Sequence, residues 1–132
     1  MIKLAFCLHR QPHLTREAFQ SYWHDRHAPL VARHAQVLGI VRYIQNHGSD
    51  EQLASALAQS RGSSGLAFDG IAELWWESLD ALTNARDPDA ARGAGRELLD
   101  DERRFIDLPR SPIFFVEERR IISDGRPVEQ AL

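Results

Sequence analysis

The order of apolar patterns along the chain predicts an α+β fold of the ferredoxin-like kind, an antiparallel sheet with helices on one face. Three observations lead there. Runs with a two-residue apolar period begin near Ile2, Ile40, Phe68 and Ile113. Helical patterns follow the first and third of these runs. Turn residues separate the runs, so the order reads strand, helix, strand, strand, helix, strand. At 132 residues a single domain can bury a core without disulfides or a structural metal.

Each element has its own signal. Ile2 to Leu8 alternates as a strand, with Ile2, Leu4, Phe6 and Leu8 on one face and Lys3, Ala5 and Cys7 on the other. Gln11-Pro12-His13 breaks it. Thr15 is placed to cap a first helix and Glu17 to favour its first turn. That helix should end near Ala28, because Pro29 lacks the N–H that a helix interior needs. Pro29 then starts a short second helix over 30–37, which Gly39 stops.

Ile40 to Gln45 reads as the second strand and Asn46-His47-Gly48-Ser49 as a turn. Leu53, Ala54, Leu57 and Ala58 suggest a helical insert before the loop over 61–65. The third strand is predicted over Phe68 to Trp76, with Asp69 in a turn role at its start. Ser78 caps a helix over 79–85, and Asp87-Pro88 restarts helical structure toward Phe105. The last strand is predicted from Ile113 to Arg120. Residues 1–122 thus form one domain, and 123–132 a mobile polar tail.

Composition narrows the function. Sixteen Lys and Arg stand against nineteen Asp and Glu, a net charge of −3 with no basic block. This disfavours a nucleic-acid surface. No run approaches a membrane span, and the first residues do not form a signal peptide. One cysteine, Cys7, rules out an internal disulfide and a cysteine-based zinc site. A cytoplasmic protein is expected. There is no phosphate loop or dinucleotide fingerprint, and histidine spacing suggests no metal set, so no cofactor is expected.

Trp75 and Trp76 alternate across their strand, so one of them must lie on the sheet face away from the helices. An aromatic sheet face left open invites association. A homodimer with two sheets facing each other covers it.

The residues that carry chemistry begin with the stripe Phe19, Trp23, His27, each four apart and so on one helical face. The two aromatics can wall a pocket with the imidazole at its edge. His27 is either a proton-transfer group or a cap on its helix, and a helix end would raise its pKa. Tyr43, in mid-strand, is either a donor to a substrate carbonyl or a core residue with its hydroxyl at the rim. Glu73 sits in an apolar strand and needs a partner, for which Arg42 is placed on the neighbouring strand. One tryptophan of the 75–76 pair could stack on a flat ligand.

Several blocks together resemble the EthD-like family. They are Thr15-Arg16-Glu17-Ala18-Phe19, Tyr22-Trp23, His27-Ala28-Pro29-Leu30, Arg42-Tyr43, the run from Phe68 to Trp75, and Asp101-Glu102 with Phe105-Ile106-Asp107. They span roughly residues 2 to 120 in the family's order. The resemblance implies a dimeric α+β barrel with a pocket between sheet and helices. It points first to His27, then to Asp101 and Glu73. An Asp101–His27 dyad would orient the ring and stabilise its cation. The candidate site is then His27 and Asp101 as catalytic residues, with Trp23, Tyr43, Glu73 and Trp75 against substrate.

The implied activity is acid/base chemistry on a small apolar carbonyl, lactone or phenolic metabolite, without a cofactor. Isomerase, lyase, dehydratase and cyclase reactions fit, as does a cofactor-free monooxygenase. The alternative is a non-catalytic binding or accessory protein of a degradation pathway.

Overall fold

The computed structural model describes residues 1–65 and 67–129. Four strands form one antiparallel sheet: β1 (Ile2–Leu8), β2 (Arg42–His47), β3 (Gly70–Trp76) and β4 (Ile113–Val116). Their spatial order is β2-β3-β1-β4. β3 therefore lies between β1 and β2 and runs against both. This is the ferredoxin-like arrangement that the sequence predicts.

One helical rod follows β1. It comprises α1 (Arg16–Tyr22), a wide π-turn (Trp23–His27) and α2 (Ala28–Leu38). Thr15 caps it, its Oγ1 accepting from the Ala18 N–H at 3.1 Å. The break expected at Ala28 does not occur, and Ala28 keeps helical dihedrals. The π-turn is the reason: the Ala28 N–H reaches back five residues to the Trp23 carbonyl. Widening the ladder there makes room for Pro29, which has no N–H to give. Gly39, at φ 72°, ends the rod, and the Ile40 N–H closes on the Ala35 carbonyl at 2.9 Å.

That closure occupies Ile40, so β2 begins two residues later than predicted and extends through His47, which pairs with Gly70. The expected turn at Asn46 and His47 is strand. Three further elements follow: α3 (Glu51–Ser60), α4 (Leu79–Thr83) and α5 (Pro88–Phe105). α3 buries none of its residues. α4 is two residues shorter than predicted. β3 starts at Gly70; Asp69 before it keeps its backbone N–H on the Leu8 carbonyl at 2.8 Å, while its carboxylate accepts from the Arg10 backbone N–H at 2.8 Å and guanidinium at 2.5 Å. Asp69 thus ties two segments rather than serving its own turn.

β4 ends at Val116, four residues short of the predicted end. The next four residues are all charged and exposed, and Glu118 turns to the Lys3 ammonium at 2.9 Å. The expected mobile tail contains a two-stranded hairpin, β5 (Ile122–Ser123) with β6 (Arg126–Pro127). Its Asp124-Gly125 turn takes φ values of 52° and 74°, as a tight primed turn needs. Residues 130–132 of that tail lie outside the described residues.

The core lies between the helices and one sheet face. Phe19, Trp23 and Phe105 from the helices meet Leu8 and Ala72 from the sheet, with Ile106 beside them. Gly70 sets the approach, since a Cβ there would stand 2.5 Å from the Trp23 ring. Trp76 is on the helix side, its indole N–H donating to the Leu38 carbonyl at 2.9 Å. Trp75 is the tryptophan on the other face. It is only 7% exposed, because the cross-strand Lys3 and Arg42 flank its ring at 4.7 and 4.5 Å. The open aromatic surface expected there is already covered by cations of the same chain.

Candidate active site

The π-turn and α5 bring together the groups that can move protons. Phe19, Trp23 and His27 are 0, 1 and 4% exposed, so the stripe faces inward along its whole length. His27 packs on Phe105, ring centres 5.0 Å apart, and its Nδ1 lies 2.7 Å from an Asp101 oxygen. The other Asp101 oxygen accepts the Tyr22 hydroxyl at 2.5 Å. With Tyr22 donating on one side, Asp101 accepts Nδ1–H on the other. This fixes the tautomer and leaves the lone pair of a neutral ring on Nε2. Nε2 has no partner among the described residues, yet is not sealed among the buried, unpartnered atoms.

Burial pushes the His27 pKa below its ordinary value, and Asp101 pulls only partly back. The rise expected from a helix end is absent, because the helix continues past His27 and the ring is desolvated.

Glu102, one residue further along α5, is a titratable group that the sequence reading did not single out. Burial raises its carboxyl to about 7, and the adjacent Asp101 charge adds to the rise. It makes no hydrogen bond among the described side chains and is likewise not a sealed atom. Periodicity could have found it. Ala94, Leu98 and Phe105 form the buried stripe of α5, and Asp101 and Glu102 fall on that stripe at spacings of three and four from Leu98.

Tyr43 shares the helix side of the sheet. Burial raises its phenol pKa, the Gln45 and Trp23 side chains oppose this, and the Glu102 charge adds to it. Tyr43 and Glu102 are therefore within electrostatic reach of each other. Glu73 and Trp75 are not part of this group. They pair across β1 with Ala5 and Lys3, on the face away from the helices. Glu73 is held by the Lys3 ammonium and accepts from Asn46 at 2.8 Å. Burial alone would raise its pKa, but these two partners and Arg42 hold it below the usual range. Its expected partner Arg42 acts through charge, and Lys3 takes the direct contact.

Two other polar side chains of the first strand and its end have structural roles. His9 stacks on Phe68 with centres 4.8 Å apart. Burial pushes the Cys7 thiol up, which suits a small buried apolar group. Among the described residues no three His, Cys, Asp or Glu side chains converge as a metal site requires. Two surface grooves, of about 880 and 750 Å³, lie under α3 and beside Trp75, and His27 lines neither.

Comparison with known proteins places this geometry in context. A protein named dehydratase ustZ, from Ustilaginoidea virens, is 26% identical over 105 residues, covering 77% of this chain and 72% of that protein. The crystal structure of an ethyl tert-butyl ether D (EthD) family protein from Bacillus halodurans matches with a TM-score of 0.56 and 18% identity. It covers 90% of this chain and 100% of the other, and shows a shared fold. The sequence model of the EthD domain matches residues 11–109, well over half of the chain, and the protein belongs to the EthD family.

Proposed function

We propose that the protein is a dehydratase that removes water from a small, flat β-hydroxy ketone, and that it works as a homodimer without a cofactor. One observation carries this reading. A buried imidazole, held as a base at Nε2 by Asp101, is accompanied on the next residue of α5 by a half-buried carboxyl, Glu102, that desolvation raises to about 7. Two groups whose environments separate their roles in this way are what an acid/base elimination requires. The dehydratase name of the relative from Ustilaginoidea virens supports the same reaction class.

In the proposed reaction, His27 Nε2 takes the proton from the carbon next to the carbonyl. The C–H electrons form an enolate, whose oxygen the Tyr43 hydroxyl stabilises by a hydrogen bond. Collapse of the enolate expels the β-hydroxyl, and protonated Glu102 gives it a proton, so that it leaves as water. His27 ends with one proton more and Glu102 with one fewer, and exchange through solvent restores both. Asp101 and Tyr22 keep the ring oriented. The aromatic walls, Trp23 and Phe105, suit a flat apolar substrate.

A direct test uses 3-hydroxy-1-tetralone, which loses water to give fluorescent 1-naphthol. The protein should produce 1-naphthol well above the buffer rate. His27→Gln and Glu102→Gln should each slow the reaction by about a hundredfold, the scale of one general acid or base. No turnover by the wild type with this substrate or its ring-substituted analogues, despite measurable binding, would favour a carrier over an enzyme. Wild-type rates in both variants would remove the assigned roles.

A further inference from the structure

Tyr43 is linked to the surface of the protein by a chain of side-chain hydrogen bonds that has only one consistent direction. The Gln45 Nε2 lies 2.9 Å from the Trp23 carbonyl and 2.9 Å from the Tyr43 hydroxyl. A carbonyl can only accept, so the amide nitrogen must face Trp23, and rotating the amide would set two oxygens against each other. The nitrogen is a donor only. Its second hydrogen therefore goes to Tyr43, and the Tyr43 oxygen accepts. The Gln45 Oε1 in turn lies 2.8 Å from the His47 Nε2, which must carry the hydrogen of that bond. His47 cannot turn freely, since its ring stacks on Trp23 with centres 4.5 Å apart.

Tyr43 thus spends its acceptor capacity inside the protein. Its own hydrogen has no acceptor among the described residues, and the charged group that it senses is Glu102. We propose that Gln45 is a positioning residue that makes Tyr43 an obligate donor toward the site, so that the site selects a substrate oxygen that accepts. A ketone carbonyl, or the enolate that it becomes, meets that demand. The π-turn is part of the device. Its wide ladder has the Trp23 carbonyl accepting the Ala28 N–H while also holding Gln45. The helix carrying His27 and the strand carrying Tyr43 are thereby fixed to each other at one atom.

This inference rests on the reading of the site as a carbonyl site, and its test separates the two. The probes are 1-tetralone, which offers a carbonyl, and tetralin, the same ring system without oxygen. Wild type should prefer 1-tetralone, and Tyr43→Phe should lose about three- to tenfold of that preference, the worth of one net hydrogen bond. Gln45→Glu keeps Tyr43 but replaces the donor with a carboxylate that captures the tyrosine hydrogen. It should lose the preference to the same extent. Preference kept in Gln45→Glu, or kept in Tyr43→Phe, overturns the proposal.

A measurement on wild type needs no variant to fold. The infrared carbonyl band of bound 1-tetralone should sit below its frequency in cyclohexane, and an unshifted band overturns the proposal. A shifted band together with no dehydration of 3-hydroxy-1-tetralone upholds the donor lock while the dehydratase reading fails. Dehydration with an unshifted band does the reverse.

Discussion

Glu102 is the residue on which the proposed function and stability oppose each other. Its carboxyl titrates near 7 in the fold against 4.5 for the ordinary group. Between those values the folded protein holds a proton that the unfolded chain has released. Stability therefore falls as pH rises through this window, and the deficit is complete above about 7. The shift corresponds to roughly 3 kcal/mol at most. Glu102→Gln, which keeps the shape and removes the charge, should raise thermal stability at pH 8 and make no difference near pH 4. Urea unfolding of both proteins across that range measures it. Equal curves at pH 8 would mean that the carboxyl is solvated in the fold and unsuited to hold a proton for catalysis. His27 shows the complementary sign. Its lowered pKa means that the unfolded chain takes up a proton first, so acid destabilises the fold from about 6.5 downward.

The same residues show what a sequence can disclose. The stripe of Phe19, Trp23 and His27 was legible because a four-residue spacing survives any detail of helix ends, and all three are buried. Glu102 was hidden in the acidic run Asp100-Asp101-Glu102. Composition makes such a run look solvated, and only the Leu98 to Phe105 repeat tells which acids turn inward.

Among the elements, β1 was legible in full, because its alternation is unbroken. Boundaries set by tertiary contacts were not. β2 slid by two residues because the helix stop captured Ile40, and β4 ended early because Glu118 went to Lys3. Pro29 misled for a related reason. Proline forbids the ordinary ladder, and the chain answered with a π-turn instead of a break. That turn also depends on how closely the helix rests on the sheet, which Gly70 decides. A methyl at Gly70 would stand 2.5 and 2.8 Å from two atoms of the Trp23 ring and 2.7 Å from the Asn46 carbonyl. Neither neighbour is the free end of a flexible chain. Gly70→Ala should cost about 1–3 kcal/mol, as overpacked cores do. Because Trp23 carries both the Gln45 contact and the start of the π-turn, it should also slow 1-naphthol formation beyond what lost protein explains. Chemical unfolding and rates per folded molecule test the two effects separately, and an unchanged stability would mean that the helix can lift without penalty.

At the scale of the molecule the two sheet faces have different work. The helix side holds His27, Tyr43 and Glu102. The other side holds an ionic cluster of Lys3, Glu73 and Arg42 around Trp75, together with Phe114, which is 52% exposed. Ile44 and Val116 share that face, half-buried. Burying Phe114 against a second sheet is the physical motive for the proposed homodimer, now that Trp75 is seen to be covered within its own chain. Phe114→Lys should therefore yield a folded monomer where wild type sediments as a dimer, since a charge at the centre of a packed interface has no partner. The proposed elimination site lies on the opposite face, so the monomer should still form 1-naphthol at a rate within about threefold of wild type if the site is self-contained, because no proton-moving group belongs to the interface. Sedimentation velocity and the tetralone assay on the same sample decide both points. A monomeric wild type would remove the dimer. A dimer whose activity vanishes with Phe114→Lys would mean that the partner's sheet holds the helix side in shape, and that the two faces are coupled through β1 and β3.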